Sequence, residues 1–442
     1  MCAVWSGKKS EGRRPVRLLI VTMQYPTTPG QVYLTTELAD ALVAAGHSVE
    51  VLHLDWYAAR TSSTEEFTTA SGVRVVRCPA KSISGLGELV RGASKFIMSG
   101  RHAARVARAH FDLAGFDAAI AWMPAIAIAP VVRMIERAGI PNRVLFIWDF
   151  FPQHHHEIGR IPGGIPLWAA RTWEQALLKS FTAIVCTLPG NANYLRRHFR
   201  VRSSQRVLVT AIWGDTSRVA AVDRDTVRRR HSLPTANPIA LFGGQLVEGR
   251  GFEQMLAAAD AAMNARSNLV FVFVGDGRLA AEISKHAETR TNVVYRPALS
   301  KAHYLELLGA CDVGMVATVP GVSSFSMPSK TIDYLRAGLP IIAAVEHGSD
   351  YIPILQKYGV GVAVPFGEPA LFYAEAERLA NAGKITEAAA RCLADTFDVR
   401  HAVATVLEAA GHGAATQPRR APTPRTRTRQ HKRSAAPSPR RS

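Results

Sequence analysis

Five short apolar runs punctuate residues 239–345, and amphipathic stretches separate them. The runs are 239–242, 269–274 (LVFVFV), 293–295, 311–316 and 341–345. Runs of this length, without a polar residue at every second position, suit strands that are buried on both faces. The amphipathic stretches between them supply the helices that cover those faces. The pattern predicts βα units on a parallel sheet.

The first half follows the same plan. Residues 17–22 (RLLIVT) read as a strand, 25–30 as a Pro/Gly loop, and 34–45 as an amphipathic helix closing at Gly46. Turn and strand follow at 46–52, where His47 is read as a turn residue. Further strands are expected at 117–122 and 143–148. The last runs into Asp149-Phe150-Phe151-Pro152-Gln153 and then His154-His155-His156-Glu157. Ligands of open α/β sheets bind beyond the carboxyl ends of the strands. Asp149 and one of the three histidines, taken here as His154, are therefore expected to face a cleft. A metal reading of the histidines is disfavoured, because consecutive loop residues rarely point at one ion and no ligand-spaced Cys or acid cluster accompanies them.

Residues 320–340 (PGVSSFSMPSKTIDYLRAGLP) read as a loop opening onto a short helix. Pro328 and Ser329 suit the helix start, and Gly338-Leu339-Pro340 its end. Lys330 sits in the first turn, against the helix dipole unless an anion is bound there. Asp333, one turn on, has the position to hold ribose hydroxyls. Earlier, the strand 239–242 leads into Gly243-Gly244-Gln245 and Glu248-Gly249-Arg250-Gly251 before a helix-like segment. Glycines let a backbone approach a diphosphate, and Arg250 is a natural counter-charge.

The series FGGQLVEGRG, FVGDG, CDVGMVA, MPSKTIDYLRAGLPII and Tyr358-Gly359-Val360-Gly361 resembles the donor half of a family 4 glycosyltransferase. The PSK helix is similar to the subgroup of colanic-acid and lipopolysaccharide biosynthesis transferases, and the resemblance spans about residues 17–410. It implies the GT-B architecture: α/β, with two Rossmann-like doubly wound parallel-sheet domains facing across a cleft. Asp149 with its aromatic-proline pair resembles the subgroup's Asp-Leu-Trp-Pro-Glu element, with Gln153 in place of the final acid. Trp213 and Asp215 resemble the Pro-Asn-Trp-x-Asp junction. The domains expected are an acceptor domain at 17–215, a connection at 216–238, a donor domain at 239–395 and a returning helix at 396–412. Basic disordered ends are expected at 1–16 and 413–442.

The resemblance implies transfer of a sugar from a nucleotide-diphosphate sugar, UDP- or GDP-linked, to a hydroxyl acceptor, with retained anomeric configuration and without a metal or other cofactor. Asp149, His154, Arg250 and Lys330 are its catalytic candidates. Gly244, Gln245, Arg250, Gly275, Arg296, Pro328, Ser329, Lys330 and Asp333 are its donor contacts, and Gly30 lies on the acceptor side. In this picture Gly244 and the start of the 328–333 helix hold the phosphates through backbone N–H groups. Acceptor choice is assigned to loops at 25–33, 60–85 and 150–166. Two positions depart from the family: Phe325 replaces the first acid of E-x7-E, and Gln245 replaces a phosphate-binding arginine. A non-catalytic nucleotide-sugar-binding GT-B protein, a partner subunit of another transferase, or a UDP-N-acetylglucosamine 2-epimerase is open at this point.

Charge and composition bound the rest. Of the net +18, residues 18–417 carry only +5; nine Lys/Arg and no acid fall in 418–442. That tail lacks aromatic residues for base stacking, which disfavours nucleic acid. An anionic membrane surface suits it better. The basic amphipathic segment 86–109 raises the same reading, with packing of its apolar face on the first sheet and its bases in water as the alternative. Five scattered cysteines fit reduced thiols. No signal peptide and no apolar stretch long enough to span a bilayer is read, so a cytoplasmic protein, peripheral on the inner membrane face, is expected. Partners are then the nucleotide-sugar donor and a glycan or lipid-linked acceptor.

Overall fold

The computed structural model describes residues 14–26, 32–58, 62–82, 88–159, 161–321 and 327–411. Gly30, Phe325 and the basic tail fall outside them. Eight strands build a first sheet: β1 (Arg17–Thr22), β2 (Ser48–Asp55), β3 (Glu65–Thr68), β4 (Arg74–Pro79), β5 (Ala118–Trp122), β6 (Asn142–Ile147), β7 (Ala183–Cys186) and β8 (Arg206–Val209). Their order is β3-β4-β2-β1-β5-β6-β7-β8, and only β3 runs antiparallel to its neighbour. Six parallel strands build the second sheet: β9 (Ile239–Gly243), β10 (Val270–Val274), β11 (Val293–Arg296), β12 (Val313–Ala317), β13 (Ile341–Ala344) and β14 (Gly361–Val364). Their order is β11-β10-β9-β12-β13-β14.

Each apolar run is a strand because both of its faces are covered. Side chains alternate across a strand, and in β1 Leu18 and Ile20 enter one core while Leu19 and Val21 enter another. In β10, Val270, Val272 and Val274 point to one core and Phe271 and Phe273 to the opposite one. Helices on both sides close these cores. The helix Val399–Ala409 lies against the first sheet, where Ala402, Val403 and Val406 join its core.

Three expectations need correction. Segment 60–85 is not simply a loop. It holds the β3–β4 hairpin, whose cross-strand ion pairs Arg74–Glu66 and Arg77–Glu65 (2.8 and 2.9 Å) hid it behind charge. The connection 216–238 contains a helix, Arg224–Arg230, capped by Asp223. The basic helix Glu88–His110 turns apolar residues of its C-terminal half inward. Ala103, Ala104, Val106 and Ala107 are buried in the first core.

The two sheets touch through a few specific contacts. Asp350 accepts from the Gly190 amide and Arg336 pairs with Asp215 at 2.5 Å, while within the first domain the Trp213 indole donates to Leu34 O at 2.7 Å. Among the described residues, Cys78, Cys186, Cys311 and Cys392 are free and buried, and burial pushes each thiol up to about 12. No helix among the described residues is long and apolar enough to cross a membrane.

Candidate active site

The carboxyl ends of β9, β12 and β6 converge on one space between the sheets. From β9 the chain turns through Gly243 and Gly244, which is exposed with φ +127°. Gly275 is a glycine for a steric reason. A Cβ there would lie 1.8 Å from Gly244 O, and its own amide donates to Arg296 O at 3.0 Å. The Gly244 amide donates to Val274 O at 2.9 Å. Gly244 and Gly275 therefore shape the turn, and the expectation that the Gly244 N–H meets phosphate is corrected. The Gln245 amide, one residue on, makes no hydrogen bond among the described residues, and its side chain is exposed there.

Arg250 stands at the tip of the same loop, exposed, one residue before the left-handed Gly251 that opens the helix Phe252–Asn264. A Cβ on Gly251 would come within 2.4 Å of Thr318 O, so a glycine is required to seat the loop on the end of β12. Lys330 begins the helix Lys330–Arg336, which ends at Gly338 as the sequence predicts. Its ammonium lies 4.3 Å from the centroid of the buried Phe242 ring. Burial, reinforced by the Arg250 charge, pulls its pKa down to about 7. No carboxylate pairs with Lys330 or Arg250 among the described residues. Two cations thus face one space without a protein anion between them.

The amide cradle of this helix is weaker than expected. Its helical part is only two turns long, Ser329 makes no side-chain cap, and the Thr331 and Ile332 amides turn back to Pro328 O and Ser329 O (3.1 and 3.2 Å). Pro328 is buried and Ser329 exposed at its start. The electrostatic role at this end falls on the two cationic side chains.

From the first domain, Asp149 leaves the end of β6 half-buried. Its side chain makes no hydrogen bond or ion pair among the described residues. Tyr33 joins it, a residue that sequence reasoning missed. Burial and the Asp149 charge push the Tyr33 phenol up to about 12, while Arg250 pulls the other way. Tyr33 also meets Trp148 edge-on, with ring centroids 5.8 Å apart. Asp149, Tyr33, Arg250 and Lys330 thus sense one another across the interdomain space. Only the charge on Asp149 marked the spot in the sequence; Tyr33 comes from a distant loop.

The histidines form a short helix, Gln153–Glu157, so they fan around its axis. His156 bonds Ile161 O through Nδ1 (2.8 Å), and the rings of His154 and His155 stand at 84°. The buried His154 Nδ1 meets no protein group among the described residues. Among those residues no cluster of three or more His, Cys, Asp or Glu is arranged to hold a metal. Glu157 and Ile158, at the end of this helix, line a cavity of about 530 Å³ with Glu248, Gly249, Arg250 and Thr318.

Two candidates have other partners. The Arg296 guanidinium donates to the carbonyls of His231, Tyr295 and Ser232 at 2.7–3.0 Å, which commits it to bracing the 231–232 turn. It is corrected from a donor contact to a structural arginine. Asp333 accepts from Lys301 through both oxygens at 2.7 Å and lies 3.6 Å from Arg336. Arg336 continues to Asp215, whose amide donates to Glu37 at 3.0 Å. Burial raises the Glu37 carboxyl to about 7.

Comparison with known proteins decides the family. Residues 30–213 match the model of a glycosyl transferase 4-like domain, and residues 237–382 match that of glycosyl transferases group 1. The chain belongs to the family 4 glycosyltransferases. The transferase is 24% identical over 368 residues to WcaI of Escherichia coli K12, named as a colanic acid biosynthesis glycosyl transferase, covering 79% of this chain and 88% of WcaI. Its fold is shared with WaaG, a glycosyltransferase of lipopolysaccharide biosynthesis (TM-score 0.59, 15% identity, 90% and 100% coverage). It is also shared with HepE of Anabaena, whose structure holds UDP and glucose (TM-score 0.60, 12% identity, 89% and 98% coverage). The architecture of the transferase is therefore GT-B.

Proposed function

We propose that the transferase moves a sugar from a nucleoside diphosphate, UDP- or GDP-linked, to a hydroxyl of a growing surface polysaccharide or glycolipid. The observation that carries this reading is the pair Lys330 and Arg250, two cations at the cleft that no protein carboxylate neutralises among the described residues. A charge taken out of water is normally paired, and Lys330 instead has the exposed Arg250 for its charged neighbour. A site that concentrates positive charge without doing so is complementary to an anion brought from outside. The UDP bound by HepE, a protein of the same fold, supports a nucleotide as that anion. The naming of WcaI and WaaG supports a cell-surface glycan as the product.

In transfer, the bond from the anomeric carbon to the phosphate oxygen breaks, the acceptor oxygen takes its place, and the acceptor hydroxyl's proton passes to the leaving diphosphate. The leaving diphosphate gains negative charge, and Lys330 and Arg250 stabilise that charge as it forms. An incoming diphosphate also raises the Lys330 pKa, so binding draws a proton onto the ammonium. Asp149 approaches from the acceptor side with free lone pairs and orients the acceptor hydroxyl, with Tyr33 shielding the pair from water. Charge neutralisation by side chains gives the reaction a route that needs no metal. Retention of configuration is part of the same proposal. The acceptor is lipid-linked or glycan, and the enzyme works peripherally at an anionic inner membrane face.

The test is a donor screen by thermal shift followed by transfer assays. UDP-sugars or GDP-sugars should raise the melting temperature of the wild type, and Lys330→Met and Arg250→Ala should each lose that shift and most turnover. A wild type that is stabilised by donor yet transfers to no acceptor extract would instead be a nucleotide-sugar-binding protein. Variants that keep full turnover would remove the phosphate site from 250 and 330.

A further inference from the structure

We propose that the outer face of the helix Ile165–Leu178, with the neighbouring segment 196–202, is the surface by which this enzyme lies on an anionic lipid bilayer. The helix shows solvent what a soluble helix normally hides. Ile165 is 80% exposed, Trp168 67% and Trp173 39%. Ala169 and Ala176 are exposed beside them, while Leu177 and Leu178 face the core. Exposed tryptophans rimmed by cations are the composition of a membrane interface, where the ring sits among headgroups and the base pairs with phosphate.

The exposed charge that residues 158–205 bring to this face is cationic. Residues 158–205 contain seven Lys/Arg and a single acid, Glu174. Glu174 is buried (1% exposed) and accepts from the Ala125 and Ile126 amides at 2.6 and 2.9 Å, so it is absent from the surface. Arg171, Lys179, Arg196, Arg197, Arg200 and Arg202 are all exposed. The helix and the segment form one surface. Arg171 donates to His198 O at 3.3 Å, Gln175 and Arg200 exchange hydrogen bonds at 3.1 and 2.7 Å, and Arg202 donates to Lys179 O at 3.2 Å. An apolar ridge beside a predominantly cationic rim, with the exposed Glu136 bonding Ser180 Oγ (2.9 Å) at its edge, is complementary to phosphate headgroups over acyl chains.

The position suits the chemistry. The helix follows directly on Gln153–Glu157, whose last residue lines the cleft cavity, and His156 bonds the connecting segment at Ile161. A bilayer on this face would leave a lipid-linked hydroxyl a short path to Asp149. In the segment 86–109, which the sequence offered for this role, Ala103, Ala104, Val106 and Ala107 are committed to the core, while among its described side chains Ile97 and Met98 are 41% and 38% exposed. This inference deepens the peripheral location proposed above. Its assay uses neither donor nor acceptor, so its failure leaves sugar transfer untouched.

The test is flotation of the full chain with vesicles of equimolar phosphatidylcholine and phosphatidylglycerol, against vesicles of phosphatidylcholine alone. The wild type should bind only the anionic vesicles and release at high salt. Trp168→Ser/Trp173→Ser should lower the partition coefficient by about tenfold or more, and Arg196→Ala/Arg197→Ala by about fivefold per charge removed. The 413–442 tail stays in every variant, so its own contribution cancels. Brominated phosphatidylglycerol should quench wild-type tryptophan fluorescence more than that of Trp168→Phe, which reads insertion directly even if a serine variant is unstable. Equal binding by the serine variant, or equal quenching in Trp168→Phe, would overturn the proposal. A self-associating chain that Trp168→Ser disperses, with no vesicle binding, would overturn it too and make the face a protein interface.

Discussion

Two cations of the second domain sit in contrasting surroundings. Arg228 is fully buried, and every arm of its guanidinium is used. Nε donates to Ala310 O (2.9 Å), Nη1 to the carbonyls of Pro234, Thr235 and Asn237 (2.7–3.1 Å), and Nη2 to Asp312 (2.7 Å). Asp312 in turn accepts from Arg224 (2.7 Å) and from the Ile239 amide (2.8 Å). Lys330 has an aromatic face and a second cation for neighbours. The first arrangement is closed: the protein supplies its own counter-charge and nothing more is needed. The second is open, and what closes it must come from solution. Closed cations serve the fold and open ones serve a ligand.

The largest effect expected from this contrast is on stability at the closed site. Arg228→Met should cost about 3–5 kcal/mol, because it leaves four backbone carbonyls and one arm of Asp312 without their donor. Chemical denaturation of the second domain would read it. A loss under about 1 kcal/mol would mean that water replaces the guanidinium freely and that the site is not closed.

At the open site the pattern should invert. Lys330→Met should leave stability unchanged or slightly raised, since it removes a desolvated ammonium, while kcat falls by about 10²–10³. Assays with saturating donor, alongside the same denaturation curve, separate the two. A variant that unfolds but retains specific activity would make Lys330 another structural cation.

The third difference is in pH. The Lys330 pKa lies near 7 in the empty protein, below its usual value, so the folded state disfavours the charged form. Below about pH 7 the ammonium is protonated before a donor arrives, and affinity should be flat. Above it, each binding event must take up a proton, and affinity for an intact UDP-sugar should weaken by up to about tenfold per pH unit. Calorimetry in buffers of different ionisation enthalpy would count that proton. Lys330→Met should abolish the slope, whereas Glu37→Gln, which removes another group held near 7, should leave it in place. A wild type with no proton uptake above pH 7 would break the account of the open site.

The sequence showed the framework better than the contacts. Strands such as β10 were legible because burial on both faces makes them continuously apolar, and the end of the helix Lys330–Arg336 was legible because Gly338 takes φ +69°. The β3–β4 hairpin was not: EEFT and RVVRCP read as polar until the register sets Glu65 against Arg77 and Thr68 against Arg74. At the site, Lys330 and Arg250 were visible as cations in phosphate-binding contexts. Arg296 looked equally suitable from its place after β10. Only the fold shows that the 231–232 turn has already occupied it. Tyr33 was legible only as one position of the 25–33 acceptor loop, because its meaning depends on Asp149 arriving beside it. A charge in a sequence says that a counter-charge is needed; whether the protein or a ligand supplies it is a fact of three dimensions.

The smallest expected effect belongs to an intermediate case, Lys301 and Asp333. The pair is tight at 2.7 Å, but Lys301 is 55% exposed, so solvent screens it. Lys301→Met should cost under about 1 kcal/mol. It would also uncover the carboxylate that the family resemblance assigns to ribose hydroxyls, with Arg336 still 3.6 Å away. If Lys301 competes with ribose for those lone pairs, the KM for donor should fall a few-fold in Lys301→Met, while that for a 2′,3′-dideoxy nucleotide donor should not change. A loss of several kcal/mol would instead place Asp333 with Asp312, as an acid whose partner is built in. Unequal responses of the two donors would place it with Lys330, among the groups the fold leaves for the substrate to complete.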